Sequence, residues 1–314
     1  MVVTAALRES TGQGFSHEAL FYSDDASYLA GTVPFVREGL ARGEPVAVAV
    51  PSARLTSLAD ALADDARHVR LIDMEEAGRN PGRIIPSVLR AFADAHSSRV
   101  RIIGEPIWAG RTDYEYPACV QHEALINASF AGREATILCP YDASMLDASV
   151  LADAEATHPV LVDANGCRES PCYAPDEAFE RQNHPLTVPD GAVSTTFDLD
   201  TMAGARHVGT AFAADAGVAG QRLQDVALVI GELCANSVQH GGGGGVLRMW
   251  RSDDGVVCEV ADQGQPTDKL AGRRPASPYQ DGGRGLLLVN QVAELVRTHV
   301  GPDGMTMRVS LSSS

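Results

Sequence analysis

The chain reads as two consecutive α/β domains, and three observations carry that reading. In the first half, five short apolar runs alternate with helical patterns: VAVAV (46–50), HVRLI (68–72), RVRIIG (99–104), ATILC (135–139) and PVLVD (159–163). A polar, proline-rich stretch over 164–192 then interrupts the alternation. The last third carries a helix, a strand ending in Asp-x-Gly and a glycine-rich opening of a second helix, in that order. At 314 residues with 45% hydrophobic content, the chain exceeds a typical single domain and can bury two ordinary cores.

The first domain is expected over 14–180. Its helical patterns cover 53–63, 83–95, 117–130 and 145–156. Short, continuously apolar strands between helices imply a parallel sheet covered on both faces. Ligands of such sheets lie outside the carboxyl ends of the strands. Those ends offer Pro51-Ser52, Asp73-Met74, Gly104-Glu105 and Pro140-Tyr141-Asp142, and none is a GxxxxGK[ST], so a P-loop is absent. Pro171, Pro175, Pro185 and Pro189 mark the boundary, with a short helix from Pro175 to Gln182 and a linker over 181–192.

The second domain is expected over 193–314. From Leu223 to Val238, Leu223, Val226, Ile230, Leu233 and then Ser237/Val238 recur at helical spacing, and the other face carries Asp225, Glu232, Asn236 and His240. Glu232 and Asn236 are one turn apart, so their side chains reach the same point in space. A carboxylate and an amide oxygen are hard donors suited to Mg²⁺ held against phosphates. Glu232 can instead serve as the base that phosphoryl transfer needs. An isolated ExxxN is usually a solvated helix face, and the downstream context decides here. VVCEVADQG reads as a strand over 256–261 running into the turn Asp262-Gln263-Gly264, where a buried carboxylate can accept from the exocyclic amine of adenine. Gly264 admits a flat base close to the backbone. Gly282-Gly283-Arg284-Gly285 precedes an apolar helix beginning at Leu286, and N–H groups exposed there bind phosphate. Arg284 either touches a phosphate or stays solvated.

These pieces resemble the Bergerat-fold ATPases of the GHKL superfamily: histidine kinases, anti-sigma-factor serine kinases, gyrase-type enzymes and chaperone ATPases. ELCANSVQHG resembles the family's N box, DQGQ its first glycine box and GGRGL its second, with a trailing hairpin VRTHV-GPDG-MTMRVSLS. The resemblance implies a C-terminal α/β two-layer sandwich that binds ATP with Mg²⁺. Asn236 would be the metal ligand, Glu232 the base and Asp262 the adenine acceptor. Gly283, Arg284, Gly285 and Leu286 would surround the phosphates, Thr306 would lie near adenine, and 265–281 would form the lid. The compact domain and its EL-x-x-N-x-x-x-HG box are most similar to actinobacterial anti-sigma-factor serine kinases. The first box reads DQGQP, without the further glycine that active kinases often carry.

The first half is similar to the MEDS sensory domain, on HEALFYSDDASYLAGTVPFVREGLARGEPVAVAVPSARL, DMEEAGRNPGRII, GEPIWAG, EYPACVQHEALIN and CPYD. That resemblance implies a RecA-like parallel-sheet module without a P-loop, sensing an undefined small ligand, with Glu105, Trp108, His122 and Glu123 as candidate pocket residues. HEALIN also loosely matches a histidine-kinase phosphoacceptor box. An acceptor histidine, however, lies on a long dimerising helix directly before the ATPase domain, and His122 does not.

With 25 basic and 41 acidic residues the net charge is −16, which argues against nucleic acid or an anionic membrane as partner. The start of the chain has no charged-then-apolar signal pattern and no apolar run is long enough to span a membrane, so a cytoplasmic protein is expected. Six scattered cysteines read as reduced core thiols. The expected function is a sensor-regulated kinase that phosphorylates a Ser/Thr on a STAS-type anti-sigma antagonist and sequesters a sigma factor. A homodimer is expected by resemblance. The alternatives are a non-catalytic ATP-dependent switch and an orphan histidine kinase using His122.

Overall fold

The computed structural model describes residues 14–275 and 283–313. The chain divides into two units between Gln182 and Asn183. The first is built on strands β1 (Phe15–Tyr22), β2 (Val46–Val50), β3 (Val69–Asp73), β4 (Val100–Gly104), β5 (Ala135–Asp142), β6 (Val160–Asp163) and β7 (Gly166–Glu169). Its longer helices are α1 (Asp25–Ala41), α2 (Ser52–Leu62), α3 (Tyr116–Ser129) and α4 (Ala148–Thr157). The seven strands form one sheet in the order β3-β2-β4-β5-β1-β6-β7. All neighbours are parallel except β7, which folds back on β6 as an antiparallel edge. Every residue of β2 and β4 is buried, as a parallel sheet covered on both faces requires.

Sequence and structure part at two places in this unit. The single helix expected over 83–95 is instead a 3₁₀ turn (Pro81–Arg83), a π-helical turn (Ile85–Leu89) and a short α-helix (Arg90–Asp94). Pro86 has no N–H to give to a regular ladder, so the backbone widens there. Strand β1, at the middle of the sheet, is absent from the expected strands. Its sequence, FSHEALFY, hides the apolar run behind His17 and Glu18, which are nonetheless buried.

The second unit contains β8 (Val193–Asp198), α5 (Met202–Asp215), α6 (Gly220–His240), β9 (Gly244–Ser252), β10 (Gly255–Asp262), α7 (Gly285–Val292), β11 (Leu295–Gly301) and β12 (Gly304–Ser312). The strands form an antiparallel sheet in the order β11-β12-β10-β9-β8. Val256, Cys258 and Val260 of β10, Leu247 and Met249 of β9, and Met307 and Val309 of β12 pack with Val226, Val229, Ile230 and Leu233 of α6 in one core. This is the two-layer sandwich expected of the domain. On the other face the alternation brings up Glu259, Arg248 and Arg308. Glu259 is fully buried and accepts from Arg248 Nη1 at 2.9 Å and from Arg308 Nε at 2.8 Å and Nη2 at 2.5 Å. The expected linker residues Asn183 and Thr187 are tied to this sheet, Asn183 through both polar atoms to Val300 and Thr187 through its carbonyl to Arg308.

Candidate functional site

A cleft of about 650 Å³ opens in the second unit between α6 and α7. Its walls include Glu232, Asn236, Gly283, Arg284, Gly285 and Leu286, six of the nine residues read from the sequence as binding or catalytic. The helix α6 supplies the first two because its apolar stripe faces the core and leaves the opposite stripe to the cleft. Asp225, on that polar face, is engaged elsewhere, paired with Arg222 at 2.9 Å. Glu232 lies against the start of α7: a Cβ at Gly285 would collide with Oε2 of Glu232. Gly283, just before the helix, has φ +73°, a conformation open to glycine and strained for other residues. The helix therefore begins with bare backbone facing a carboxylate and an amide.

Asn236 tests whether a phosphate-bound cation suits this wall. Its Nδ2 is buried and has no hydrogen-bond partner. Rotation about χ2, a broad two-fold torsion, exchanges that atom with Oδ1. One orientation offers oxygen to a hard cation and the other offers N–H to a phosphate, so the residue fits both.

Asp262, Gly264 and Thr306 stand beside the cleft and are not part of its lining. Asp262 ends β10, where Oδ2 accepts from Ser237 Oγ at 2.5 Å and Oδ1 accepts from Gly264 N at 2.7 Å. A side chain at Gly241 would collide with this carboxylate, and one at Gly264 would come within 2.8 Å of its Oδ1. Thr306 sits on β12 in register with Ala261, the neighbour of Asp262. Two residues with roles here went unread. Ser237 counted as part of the apolar stripe, although a hydroxyl in that stripe signals a buried polar partner. Asn290 of α7 donates to the carbonyls of Leu286 and Gly272 at 3.1 Å each, fixing the base of the expected lid. Asp268, Leu270 and Arg274 from that lid line the cleft, while its residues 276–281, and Gly282, lie outside the described residues.

In the first unit Glu105 and Trp108 lie in the segment that follows β4, and His122 and Glu123 are adjacent on α3. Glu105 follows β4 and is buried, with Oε1 accepting from Tyr22 at 3.3 Å and Oε2 without a partner. Burial pushes its carboxyl up to about 8, against the opposing pull of Arg54. Arg54 lies over the rings of Tyr22 and Tyr28, at 5.1 and 4.9 Å, and the Tyr28 hydroxyl is also buried without a partner. Trp108 lies in the loop beyond, under the guanidinium of Arg111 at 4.0 Å. His122 and Glu123 are buried on α3, where Glu123 joins His17, Cys139 and His158.

Comparison with known families agrees with this division. Residues 16–159 match the MEDS model, the methanogen/methylotroph, DcmR sensory domain. Residues 195–311 match the histidine kinase-like ATPase domain. The chain therefore carries a MEDS domain followed by a histidine kinase-like ATPase domain of GHKL type, the fusion that its motifs indicate. Comparison with curated proteins gives no match. The second domain implies ATP binding, and its pairing with a sensory domain makes a regulatory ATP-binding protein. Among the described residues no helix is long and apolar enough to cross a membrane.

Proposed function

We propose that this protein is a sensor-regulated protein kinase. It transfers the γ-phosphoryl group of ATP to a Ser or Thr hydroxyl on a STAS-type anti-sigma antagonist and sequesters a sigma factor. The observation that carries this reading is the placement of Glu232 and Asn236, one helical turn apart, against the glycine-opened start of α7 in one cleft. In this reading the adenine amine donates to Asp262, whose orientation is held by Ser237 and Gly264. The triphosphate lies along the N–H groups of Gly283–Leu286, aided by the positive end of the α7 dipole. Asn236 would hold Mg²⁺, which when bound neutralises charge on the phosphate oxygens. Glu232 takes the proton of the acceptor hydroxyl as its oxygen bonds to the γ-phosphorus and the bond to ADP breaks.

Glu232 also borders an open groove along α5 and α6, lined by Met202, Arg206 and Leu228. A protein hydroxyl can thus approach this carboxylate from outside the nucleotide cleft. The sensory half is assigned to the carboxyl ends of β1, β4 and β5, where Glu105 Oε2 and the Tyr28 hydroxyl are buried without partners beside Arg54. A small polar ligand would satisfy both groups.

The test is a radiolabelled γ-phosphate assay of the full chain with Mg²⁺ and candidate antagonist proteins. Acid-stable label on an antagonist Ser or Thr is the expected result. ATP occupancy without transfer to any antagonist would favour the binding switch instead, and acid-labile label on the chain itself would favour a histidine kinase.

A further inference from the structure

A second constellation lies at the heart of the first unit, away from the groups used above. His17 of β1, Glu123 of α3, Cys139 of β5 and His158 at the end of α4 converge, and each is at most 1% exposed. Their ligand atoms all lie within 4.8 Å of one another. From these positions we infer that the four side chains form a closed binding site for a single divalent transition metal, of which Zn²⁺ is the best match.

Three observations converge on a metal. The first is metric. Bonds of about 2.0–2.3 Å to N, O and S at tetrahedral angles put neighbouring ligand atoms roughly 3.3–3.6 Å apart. Glu123 Oε2 lies 3.2 Å from His17 Nε2, 3.4 Å from His158 Nε2 and 3.7 Å from Cys139 Sγ, and Cys139 Sγ lies 3.4 Å from His17 Nε2. These four separations match the edges of a coordination tetrahedron, and all four ligand atoms lie within 4.8 Å of one another.

The second is the tautomer of His158. Its Nδ1 lies 2.8 Å from the carbonyl oxygen of Ala154, which can only accept, so Nδ1 carries the proton. In a neutral ring Nε2 then presents a lone pair to Glu123, and that nitrogen has no hydrogen-bond partner. A backbone carbonyl holding the remote ring nitrogen is the usual way a ligand histidine is oriented. Two lone pairs facing each other in a dry interior are stabilised by a cation between them.

The third is the donor set. Two imidazoles, a carboxylate and a thiol suit Zn²⁺, whereas Mg²⁺ and Ca²⁺ take all-oxygen sites. Loading the site exchanges the Cys139 thiol proton for the metal. With four protein ligands and no approach from solvent the site has no open position, which makes it structural. It would fasten the central β1–β5 pair to α3 and to the α4–β6 junction.

The experiment uses the full chain purified under reducing conditions without added chelator. About one zinc per chain is expected by plasma mass spectrometry. Cobalt-loaded protein should show tetrahedral d–d bands with a thiolate-to-cobalt charge-transfer band. Cys139→Ser should remove that charge-transfer band, and His158→Ala should reduce bound metal several-fold or more. If neither variant folds, the cobalt spectrum of the unmodified chain decides. The inference is overturned by a chain that carries no metal and takes up neither zinc nor cobalt, which would leave His158 and Glu123 sharing a proton alone. It is equally overturned by metal retained in both variants, or by a cobalt spectrum without the thiolate band.

Discussion

Ser237 and Asp262 are joined by a 2.5 Å hydrogen bond from the serine hydroxyl to the carboxylate, across the gap between α6 and the end of β10. The same hydroxyl also donates toward the carbonyl of Leu233, one turn back. The carboxylate assigned to adenine is thus aimed by the helix that carries Glu232 and Asn236. Asp262→Asn keeps one accepting oxygen but turns an N–H₂ toward a group that already donates. ATP affinity should fall roughly 10- to 100-fold, the cost of one mispaired buried group. Ser237→Ala should lose less, and isothermal calorimetry with both variants checks the order.

Glu232→Gln should leave nucleotide affinity within a few-fold and slow phosphoryl transfer by roughly 10²–10⁴, the usual contribution of a positioned base. Gly285→Ala should behave differently, because its methyl group would displace the Glu232 carboxylate and crowd the phosphate-facing backbone. Affinity and transfer should then drop together. Single-turnover transfer rates measured beside binding constants separate the two patterns, and an equal loss of affinity in both variants would refute the division of roles.

Glu259 holds Arg248 and Arg308 on the face of the sheet opposite the helices, and Arg308 also stacks on Trp250 at 4.8 Å. Glu259→Ala leaves the nearly buried Arg308 without its counter-charge. Removing one partner of such a pair costs about 3–5 kcal/mol. Urea unfolding should show a loss of that size, whereas Arg248→Ala, removing the more exposed cation, should cost clearly less.

Glu105 predicts a pH dependence. Its folded-state pKa is raised to about 8, so the folded chain binds the proton more tightly than the unfolded chain does. The associated stability is fully present below the ordinary carboxylate range and is lost as pH rises through about 8. Unfolding free energy should therefore decline between about pH 4.5 and 8 and level off above that, with a slope of at most about 1.4 kcal/mol per pH unit from this group. Glu105→Gln should flatten that decline. Urea titrations of both proteins across the window decide it.

How far the sequence reached depends on the kind of signal. The helix read over 223–238 is Gly220–His240, and the closing hairpin is Leu295–Gly301 with Gly304–Ser312, because long periodic segments and a glycine turn announce themselves. Of the six cleft residues, Glu232 and Asn236 followed from helical spacing, since positions four apart share a face, whereas the four at 283–286 followed from the glycine-rich helix opening and the resemblance to GHKL ATPases. What stayed hidden were polar residues at buried positions. His17 broke the apolar run of β1, and Ser237 passed for a filler of the α6 stripe, because each is matched by a partner distant in sequence. Strand β9 was obscured by the glycines at 241–245, where Gly244 and Gly245 press against the backbones of Phe197 and Ala261. The grouping of Glu105 with Trp108, His122 and Glu123 rested on the resemblance to the MEDS domain, and no spacing rule in the sequence carried it.

The helix Gly220–His240 turns Val226, Val229, Ile230 and Leu233 to the core and Glu232 and Asn236 to the cleft. One rod thus serves as both keel and workbench, so the groups proposed to carry the chemistry are held by the same helix that fills the core. Heat inactivation of the second unit should accordingly trace the same curve as its melting, with no earlier step in which activity fades from an otherwise intact body.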